Sequence, residues 1–526
     1  MIRRAAAAAV ALSLIVVLAA GCAARPDPAL PGEPALPGNS GTPPVAERPA
    51  SRRDTRALRR LRADLTEVFG APIMARGVWG VVVRSLDSGE SIFELNAGKL
   101  MMPASNMKIV TLATAAEILG WDHRFTTTLE TAAPIVDGVL RGDLFVRGTG
   151  DPTINSREGR APSVLFDWTT ALRAAGIREI DGRIIGDDQA FDDDGLGAGW
   201  AWDYLQYGYA APSGALQFNE DIAQLRVSPG ARVGDPAILE LPSGAGFTFV
   251  NRVITGAEAS SVTIDYRRHL YQPELEVTGS IPVKADSAIR SVAVVNPTRY
   301  FAQSLKEALI GTGINVHGEA VDNDDVAGAL AGASVARRVL ASTDSPTLRE
   351  MGTVLMKVSQ NLYAETFVKA MGAAGGEVGT TSGGRSAMLR TLTSWGIPED
   401  AYVVADGSGL SRYNYVSAEM ITAVLERMYR DPRHRDAFLK TLPIAGKDGT
   451  VASRMRGSLA EGNAVAKTGS IANVRSLSGY VRTRDGEMLV FAILANDFAI
   501  PAATVTWIAD LAVETLAAYP AGGQSR

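Results

Sequence analysis

Cysteine and histidine are scarce in this sequence. Its 526 residues include one cysteine, Cys22, and four histidines. A lone cysteine cannot form a disulfide framework, and this composition cannot supply the Cys/His ligands of a structural zinc site. The His-Glu-x-x-His pattern of zinc peptidases is also missing from the sequence. We therefore predict that the protein uses neither a metal ion nor another cofactor.

An excess of positive charge is also lacking. Lysine and arginine total 52 against 57 acidic residues, which gives a net charge of −5 at pH 7. Proteins that bind nucleic acid usually carry a basic surplus, so we expect no nucleic-acid partner. Only 9 of the basic residues are lysines, and a motif that requires lysine therefore arises less often by chance.

The first 22 residues have the form of an export signal. Arg3 and Arg4 precede an apolar run over residues 5–18, which is shorter than the ~20 residues of a transmembrane helix. Small residues followed by Cys22 resemble a bacterial lipobox, in which this cysteine would be lipidated. Ordinary signal cleavage near Ala24 is the alternative. We expect an exported protein of the periplasm or cell envelope that touches the membrane only through this lipid anchor.

The remaining chain is predicted to have a tether and a folded part. Residues 23–53 are rich in proline and glycine and poor in apolar side chains, so they are predicted to form a flexible tether. Both ends of the folded part show helix and hairpin patterns. The predicted helices cover residues 52–69, 104–119 and 502–516, and the predicted strands cover residues 78–86, 91–95, 474–481 and 488–494. Residues 126–345 differ, with short strands and many Gly and Asp residues, and this region is predicted to be inserted.

The first candidate site is Ser105-Asn106-Met107-Lys108, at the head of a predicted helix. Residues three apart share one helix face, so Lys108 lies within reach of the Ser105 hydroxyl as its base. That role needs a neutral amine, and burial or a second cation can lower the pKa of a lysine from its usual ~10.4. Serine at a helix start is more often only an N-cap, so the motif is weak by itself.

Two further polar motifs lie closer to the C-terminus. Ser359-Gln360-Asn361 follows an apolar helical stretch, and Lys467-Thr468-Gly469-Ser470 stands just before a predicted strand. Glycine at a strand edge lets a substrate backbone approach, while lysine and hydroxyl groups can bind a carboxylate. Each motif alone is also compatible with a helix cap or an exposed turn.

In this order the three motifs resemble the Ser-x-x-Lys, Ser-x-Asn and Lys-Thr-Gly set of penicillin-binding proteins and serine β-lactamases. The long interval between Ser105 and Ser359 is similar to that of one family, the D-alanyl-D-alanine carboxypeptidase/endopeptidases, or class C low-molecular-mass penicillin-binding proteins. The resemblance covers residues 54–520. Further segments that agree with this family are residues 148–153, 199–203, 209–212, 406–412 and 442–446.

The resemblance implies both a fold and an activity. The fold is an α/β (α+β) transpeptidase/β-lactamase-like serine acyltransferase domain with two inserted β-rich domains. The catalytic domain would comprise residues 54–125 and 346–520, the inserted domain residues 126–218 and 301–345, and a nested β domain residues 219–300. Strands in the nested domain are predicted at residues 238–241, 247–254 and 262–266. The activity is that of a serine-type hydrolase acting on peptidoglycan stem peptides, with β-lactam antibiotics as acylating inhibitors.

The resemblance also implies roles for the motif residues. Ser105 would attack the carbonyl between two terminal D-alanines while Lys108 takes its proton. Ser359 and Lys467 would pass a proton to the leaving amine, and Asn361 would hold the substrate amide.

The remaining motif residues would bind oxygen atoms of the substrate. The backbone N–H groups of Ser105 and Ser470 would form the oxyanion hole. Thr468 and Ser470 would bind the terminal carboxylate, and Gly469 would leave room for the substrate.

Substrate recognition is predicted in the inserted region. The resemblance places an acidic residue there that meets the free amine of the stem peptide's side chain, and Asp203 fits this place. Tyr209 is a second candidate for the same wall. Packing and solvation alone would also explain the Trp-rich segment around Asp203.

The sequence is less compatible with several other classes of protein. A Ser-His-Asp hydrolase is disfavoured because Ser408 lacks the first glycine of a nucleophile elbow and histidine is scarce. The acidic run at residues 192–194 lacks the spaced ligands and final Glu of a calcium loop. A serine β-lactamase and a non-catalytic envelope-binding protein of the same fold remain open alternatives.

Overall fold

The computed structural model describes residues 55–157, 159–269, 272–326 and 336–520. The predicted export signal, Cys22 and all of the predicted tether lie outside these residues. Within the described ranges, no helix is both long enough and apolar enough to cross a membrane.

Ten α-helices and 22 strands are assigned in the described residues. The helices are α1 Arg56–Phe69, α2 Met107–Ile118, α3 Arg160–Ala174, α4 Pro297–Gly311, α5 Leu348–Lys357, α6 Asn361–Ala373, α7 Thr381–Ser394, α8 Ala418–Arg430, α9 Arg435–Thr441 and α10 Ala502–Ala518. The strands are β1 Val78–Ser85, β2 Ser91–Leu95, β3 Thr126–Thr131, β4 Ile135–Val136, β5 Val139–Leu140, β6 Leu144–Gly148, β7 Glu179–Ile180, β8 Ile184–Asp187, β9 Ile222–Ser228, β10 Ile238–Glu240, β11 Thr248–Gly256, β12 Asp265–Arg268, β13 Glu274–Pro282, β14 Ala288–Ala293, β15 Asn315–Val316, β16 Ala320–Asp322, β17 Arg338–Asp344, β18 Tyr402–Val403, β19 Tyr415–Val416, β20 Val465–Ile471, β21 Val474–Arg482 and β22 Met488–Asn496.

A five-stranded antiparallel sheet joins the two ends of the folded chain. Its order is β2-β1-β22-β21-β20, and every residue of the central strand β22 is buried. Alternate β22 residues enter two different apolar clusters, because successive side chains of a strand point to opposite faces. Helices α1 and α10 cover one face, and α8 packs on the other. Strand β20 is an edge of this sheet and carries Lys467.

Helix α2 lies in the helical layer next to α5, α6, α7 and α8. Its residues from Met107 to Ala116 are all buried, which is typical of a helix that is apolar on every side. Helix α5 begins at a capping box formed by Thr347 and Glu350. A short turn then leads to α6, which begins at Asn361.

Residues 126–345 carry four further sheets, one of which is the four-stranded sheet β15-β7-β5-β4. Another has the order β16-β8-β6-β3-β17 and packs with α3 and α4 around a separate apolar cluster. Two three-stranded sheets, β10-β9-β14 and β11-β13-β12, enclose a further cluster. The described residues form one compact unit, and the domain boundaries expected from the sequence stay predictions.

One predicted strand of the nested domain begins late. The sequence places it at residues 262–266, but β12 starts at Asp265. Thr263 does donate its N–H to the Ser280 carbonyl. A Cβ on Gly279 would lie only 2.1 Å from the Thr263 carbonyl oxygen, so the chain approaches β13 closely here without regular pairing.

Candidate active site

Ser105 lies on a 3₁₀ turn, Ala104–Asn106, directly before α2. The turn is tightly packed, since a Cβ on Gly409 would lie 1.8 Å from the Ala104 carbonyl oxygen. Lys108 follows in the first turn of α2, and its Nζ lies 3.0 Å from the Ser105 Oγ. The helix geometry expected for a serine and its base is therefore present.

Lys108 is completely buried and has two further oxygen partners. Its Nζ donates to Asn361 Oδ1 at 2.6 Å and to the Ser408 carbonyl at 2.7 Å. Burial lowers the pKa of Lys108 to about 7, although the nearby carboxylates of Asp406 and Glu365 oppose this change. Near neutral pH a substantial fraction of this amine is unprotonated, which is the form that can accept a proton.

Lys467 of the third motif contacts Ser359 of the second motif, and the two form a second lysine–serine pair. Nζ of Lys467 lies 2.9 Å from Ser359 Oγ and also donates to the Thr468 carbonyl. Lys467 is fully buried, and its pKa is lowered well below the usual value by burial and then by the charge of Lys108. Ser359 has a φ of 62°, a left-handed conformation that is uncommon for residues other than glycine and is often found at functional sites.

Gly469 allows the edge strand β20 to pack against the serine turn. A Cβ at this position would lie 2.7 Å from the Pro103 carbonyl oxygen and 3.0 Å from the Ser105 nitrogen. The space left by the missing side chain is thus bordered by the Ser476 hydroxyl, which would lie 2.1 Å from that Cβ, and by the turn that presents Ser105. This close packing is a constraint that the sequence interpretation, which assigned the space to substrate, did not include.

A cleft of about 370 Å³ opens beside these groups. Its lining residues are Ser105, Tyr204, Tyr209, Ser359, Asn361, Gly409, Leu410, Ser470, Ile471 and Ala472. No carboxylate belongs to this described lining. Thr468 is not part of it, and its hydroxyl donates to the Thr450 hydroxyl at 2.8 Å.

Asp203 does not line the cleft, whereas its neighbour Tyr204 does. Asp203 is exposed, at the middle of the 3₁₀ turn Trp202–Tyr204. Its charge acts on Tyr209, whose pKa is raised to about 12 mainly by burial, then by Tyr204 and Tyr207 and to a smaller extent by Asp203. Asp203 therefore lies close enough to Tyr209 for its charge to act there, but it is not part of the cleft lining.

Two buried acids near Lys108 were not identified as site residues from the sequence. Glu365 accepts the N–H groups of Gly407 and Ser408 at 2.9 and 2.8 Å, and burial raises its pKa to about 7. Asp406 is also fully buried. A signal for Glu365 exists, since a glutamate inside the apolar sequence of α6 is costly to bury without a polar partner.

Asp406 connects the site to the inserted region. Its carboxylate accepts the N–H groups of Gly409 and Ser411 and the side-chain amide of Asn414. A further donor is the indole N–H of Trp200, at 2.8 Å. Ser408 lies in the same loop and is fully buried, which agrees with its exclusion as a nucleophile.

One cluster in the described residues contains side chains that could bind a metal ion, but these side chains already have partners within the protein. Glu117, Asp431 and His434 lie close together, and Arg433 donates to both carboxylates. His434 Nδ1 accepts the indole N–H of Trp121. None of these three acidic or imidazole groups lines the cleft.

Known proteins resemble this chain along most of its length. The model of the D-Ala-D-Ala carboxypeptidase 3 (S13) family matches residues 61–515. A D-alanyl-D-alanine carboxypeptidase of Actinomadura sp. (strain R39) is 34% identical over 460 residues, covering 85% of this chain and 82% of that protein.

Solved structures show the same fold. Penicillin-binding protein 4 (DacB) from Haemophilus influenzae superposes with a TM-score of 0.72 at 25% identity, covering 85% of this chain and 98% of that chain. The structure of that protein in complex with a β-lactam gives a TM-score of 0.69 at 24% identity, covering 86% and 99%. These matches confirm the predicted fold class and family, and the chain belongs to the D-Ala-D-Ala carboxypeptidase 3 (S13) family.

Proposed function

We propose that this protein is a serine-type D-alanyl-D-alanine carboxypeptidase/endopeptidase that acts on peptidoglycan stem peptides. The observation that carries the proposal is the 3.0 Å contact between Ser105 Oγ and the Nζ of Lys108, a fully buried lysine with a pKa of about 7. A hydroxyl, an amine that can be neutral and an adjacent cleft are the parts that an acyl-transfer site requires.

The acylation step uses the two lysine–serine pairs. The Ser105 hydroxyl gives its proton to neutral Lys108, and its oxygen bonds to the carbonyl carbon of the penultimate D-alanine. The peptide C–N bond then breaks, and Ser359 with Lys467 relays the proton that Lys108 took up to the leaving amine of the terminal D-alanine, so that both lysine–serine pairs regain their starting protonation states. Water hydrolyses the resulting ester, which releases the shortened peptide as a carboxylic acid and restores the Ser105 hydroxyl.

The strand edge is proposed to bind the oxygen atoms of the substrate. Backbone N–H groups of Ser105 and Ser470 stabilise the oxyanion, and donors of this kind contribute roughly 3 kcal/mol each. Thr468 and Ser470 bind the terminal carboxylate. Support comes from Ser470 in the cleft lining and from the close approach of Gly469 to the Ser105 nitrogen.

Asn361 and two residues of the inserted region are proposed to recognise the stem peptide. Asn361 donates to a substrate amide carbonyl, and Tyr209 forms the wall of the cleft. Asp203, exposed next to that wall, attracts the free amine of the stem peptide's side chain. A β-lactam occupies the same cleft and acylates Ser105, in keeping with the β-lactam complex of the related Haemophilus influenzae protein.

Digestion of purified peptidoglycan tests the activity. We expect the wild-type protein to release D-alanine from pentapeptides, to open D-alanyl cross-links, or both, and mass spectrometry of the products separates the two reactions. Ser105→Ala is the matched control and should release neither product. Undigested peptidoglycan with a correctly folded wild-type protein would leave the β-lactamase and the non-catalytic binding alternatives.

We further propose that the protein is exported and anchored through a lipid on Cys22, with residues 23–53 as a tether. A single diacylglyceryl anchor would keep the enzyme near the membrane while the tether lets it sample the cell wall. Mass spectrometry of the mature N-terminus tests this. A soluble mature protein that starts beyond Cys22 would contradict the anchor and favour cleavage near Ala24.

A further inference from the structure

The side-chain amide of Asn361 is held from two sides. Its Oδ1 accepts from Lys108 Nζ at 2.6 Å, and its Nδ2 donates to the backbone carbonyl of Tyr209 at 2.7 Å. A backbone carbonyl can only accept, so the amide nitrogen must face Tyr209 and the amide oxygen must face Lys108. The amide nitrogen carries a second hydrogen, and Asn361 lines the cleft.

The Tyr209 carbonyl comes from a 3₁₀ turn, Gly208–Ala210, in the inserted region. The Tyr209 ring stacks on Tyr207 with 5.4 Å between ring centroids, and it meets Tyr204 edge-on at 5.7 Å. Tyr207 in turn contacts Tyr266 at 5.4 Å. We call Tyr204, Tyr209, Tyr207 and Tyr266 the tyrosine stack.

The far end of the tyrosine stack is fixed to the nested region. Tyr266 belongs to β12, is buried, and donates its hydroxyl to the Ser291 carbonyl at 2.7 Å. Tyr207 also forms an isolated antiparallel bridge with Val292. Aromatic packing of this kind is directional, so the stack fixes the turn that carries the Tyr209 carbonyl.

We propose that the tyrosine stack and the Tyr209 carbonyl position Asn361 for substrate binding. With one N–H bound to Tyr209, the other is directed into the cleft, toward the amide carbonyl of the ligand. Without that acceptor the amide can turn about its Cβ–Cγ bond, and the donor direction is lost. The proposal rests on the function proposed above for Asn361, and Tyr207 is its positioning residue.

The consequence concerns one class of ligand. A β-lactam with an acylamido side chain presents an amide carbonyl to Asn361, whereas an unsubstituted penam such as penicillanic acid does not. Loss of a single well-directed hydrogen bond changes a rate constant by about tenfold. A defect in Asn361 orientation should therefore slow acylation by benzylpenicillin and leave penicillanic acid nearly unaffected.

The test compares acylation rate constants for benzylpenicillin and penicillanic acid in full-length variants. Tyr207→Ala removes the ring that supports Tyr209 and should lower the benzylpenicillin/penicillanic acid ratio about tenfold. Tyr207→Phe keeps the ring and should keep the wild-type ratio. Asn361→Ala should lower the ratio as Tyr207→Ala does.

Each outcome decides one statement. If Tyr207→Ala slows both ligands equally, the stack is merely structural and the inference is wrong. If Asn361→Ala leaves the ratio unchanged, the proposed binding function of Asn361 is wrong. If only Asn361→Ala lowers the ratio, the binding function of Asn361 is supported and the positioning of Asn361 by Tyr207 is wrong.

A second variant covers the case in which Tyr207→Ala does not fold. A Cβ on Gly208 would lie 2.7 Å from the Ile222 Cδ1, so Gly208→Val should push the turn away from β9 and move the Tyr209 carbonyl. The same fall in the ratio is expected, with thermal unfolding measured in parallel. An unchanged ratio in a folded Gly208→Val protein would overturn the proposal.

Discussion

Trp200 donates its indole N–H to the Asp406 carboxylate across 2.8 Å. The hydrogen bond links the inserted region to the loop behind Lys108, since Asp406 also accepts the Ser411 N–H and the Ser408 carbonyl in that loop accepts from Lys108. A residue outside the three sequence motifs thus contributes to the surroundings of the candidate base.

Trp200→Phe should destabilise the protein and slow acylation. The change keeps an aromatic ring but removes a hydrogen bond to a buried carboxylate, which costs about 1–3 kcal/mol of unfolding free energy. Urea unfolding and the rate of penicillin labelling measure the two effects. Trp202→Phe is the matched control, because Trp202 is 57% exposed and its replacement should change neither quantity.

Ser105 should be the residue that β-lactams acylate. Ser105→Ala is expected to abolish labelling by a fluorescent penicillin. Lys108→Arg should nearly abolish it as well, because a guanidinium cannot lose its proton near neutral pH. Peptide mapping of the labelled wild-type protein identifies the site, and a lasting penicillin adduct on Ser105→Ala would refute the assignment.

Acylation should depend on pH through Lys108. Its pKa is about 7, so the rate should rise with pH through a midpoint near 7 and fall to about a tenth of its plateau at pH 6. Glu365 raises the pKa of Lys108 by its charge. Glu365→Gln should therefore move the midpoint to lower pH, and a midpoint unmoved or raised in this variant would contradict the electrostatic argument.

The β-lactam adduct should be long-lived. Efficient serine β-lactamases use an additional base to activate the deacylating water, and no carboxylate belongs to the described cleft lining. Intact-mass spectrometry of the ampicillin adduct over time measures its decay. Turnover of ampicillin fast enough to confer resistance would instead favour the β-lactamase alternative.

Asp203→Asn should weaken only ligands that carry a free amine. A carboxylate that pairs with an ammonium in a partly desolvated site contributes roughly 1–3 kcal/mol, or about 10–100-fold in kcat/KM. We expect this loss for a stem peptide with a free side-chain amine and almost none for a β-lactam that lacks one. Equal losses for both would show that Asp203 is structural.

The contact within the first motif can be predicted from the sequence because its two residues are close together along the chain. Lys108 follows Ser105 by one helical turn, and this spacing is enough to predict their contact. The distant contact between Lys467 and Ser359 came only from the resemblance to a family. The sequence places Asp406 only in a segment that agrees with the family. Its contact with Trp200 cannot be predicted, because Trp200 comes from a separate part of the chain.

The sequence could not predict which side chain of the short turn at the cleft wall faces the cleft. The resemblance to the family selects Asp203, but the 3₁₀ turn presents Tyr204 to the cleft instead. A shift of one residue in such a turn changes which side chain faces inward, and no periodicity in so short an element reveals it. The sequence interpretation assigns the space at Gly469 to substrate, whereas the serine turn approaches this space, and that turn is distant in sequence.

In the central sheet, a strand from near the N-terminal end of the folded part pairs with a strand from near its C-terminal end. Strand β22 is the last strand to be synthesised, and it lies between β1 and β21. Lys467 is likewise synthesised long after Ser105. A chain that stops before β22 therefore cannot close the sheet or bring β20 against the serine turn. The site can therefore assemble only in a chain that already contains nearly all of its folded part.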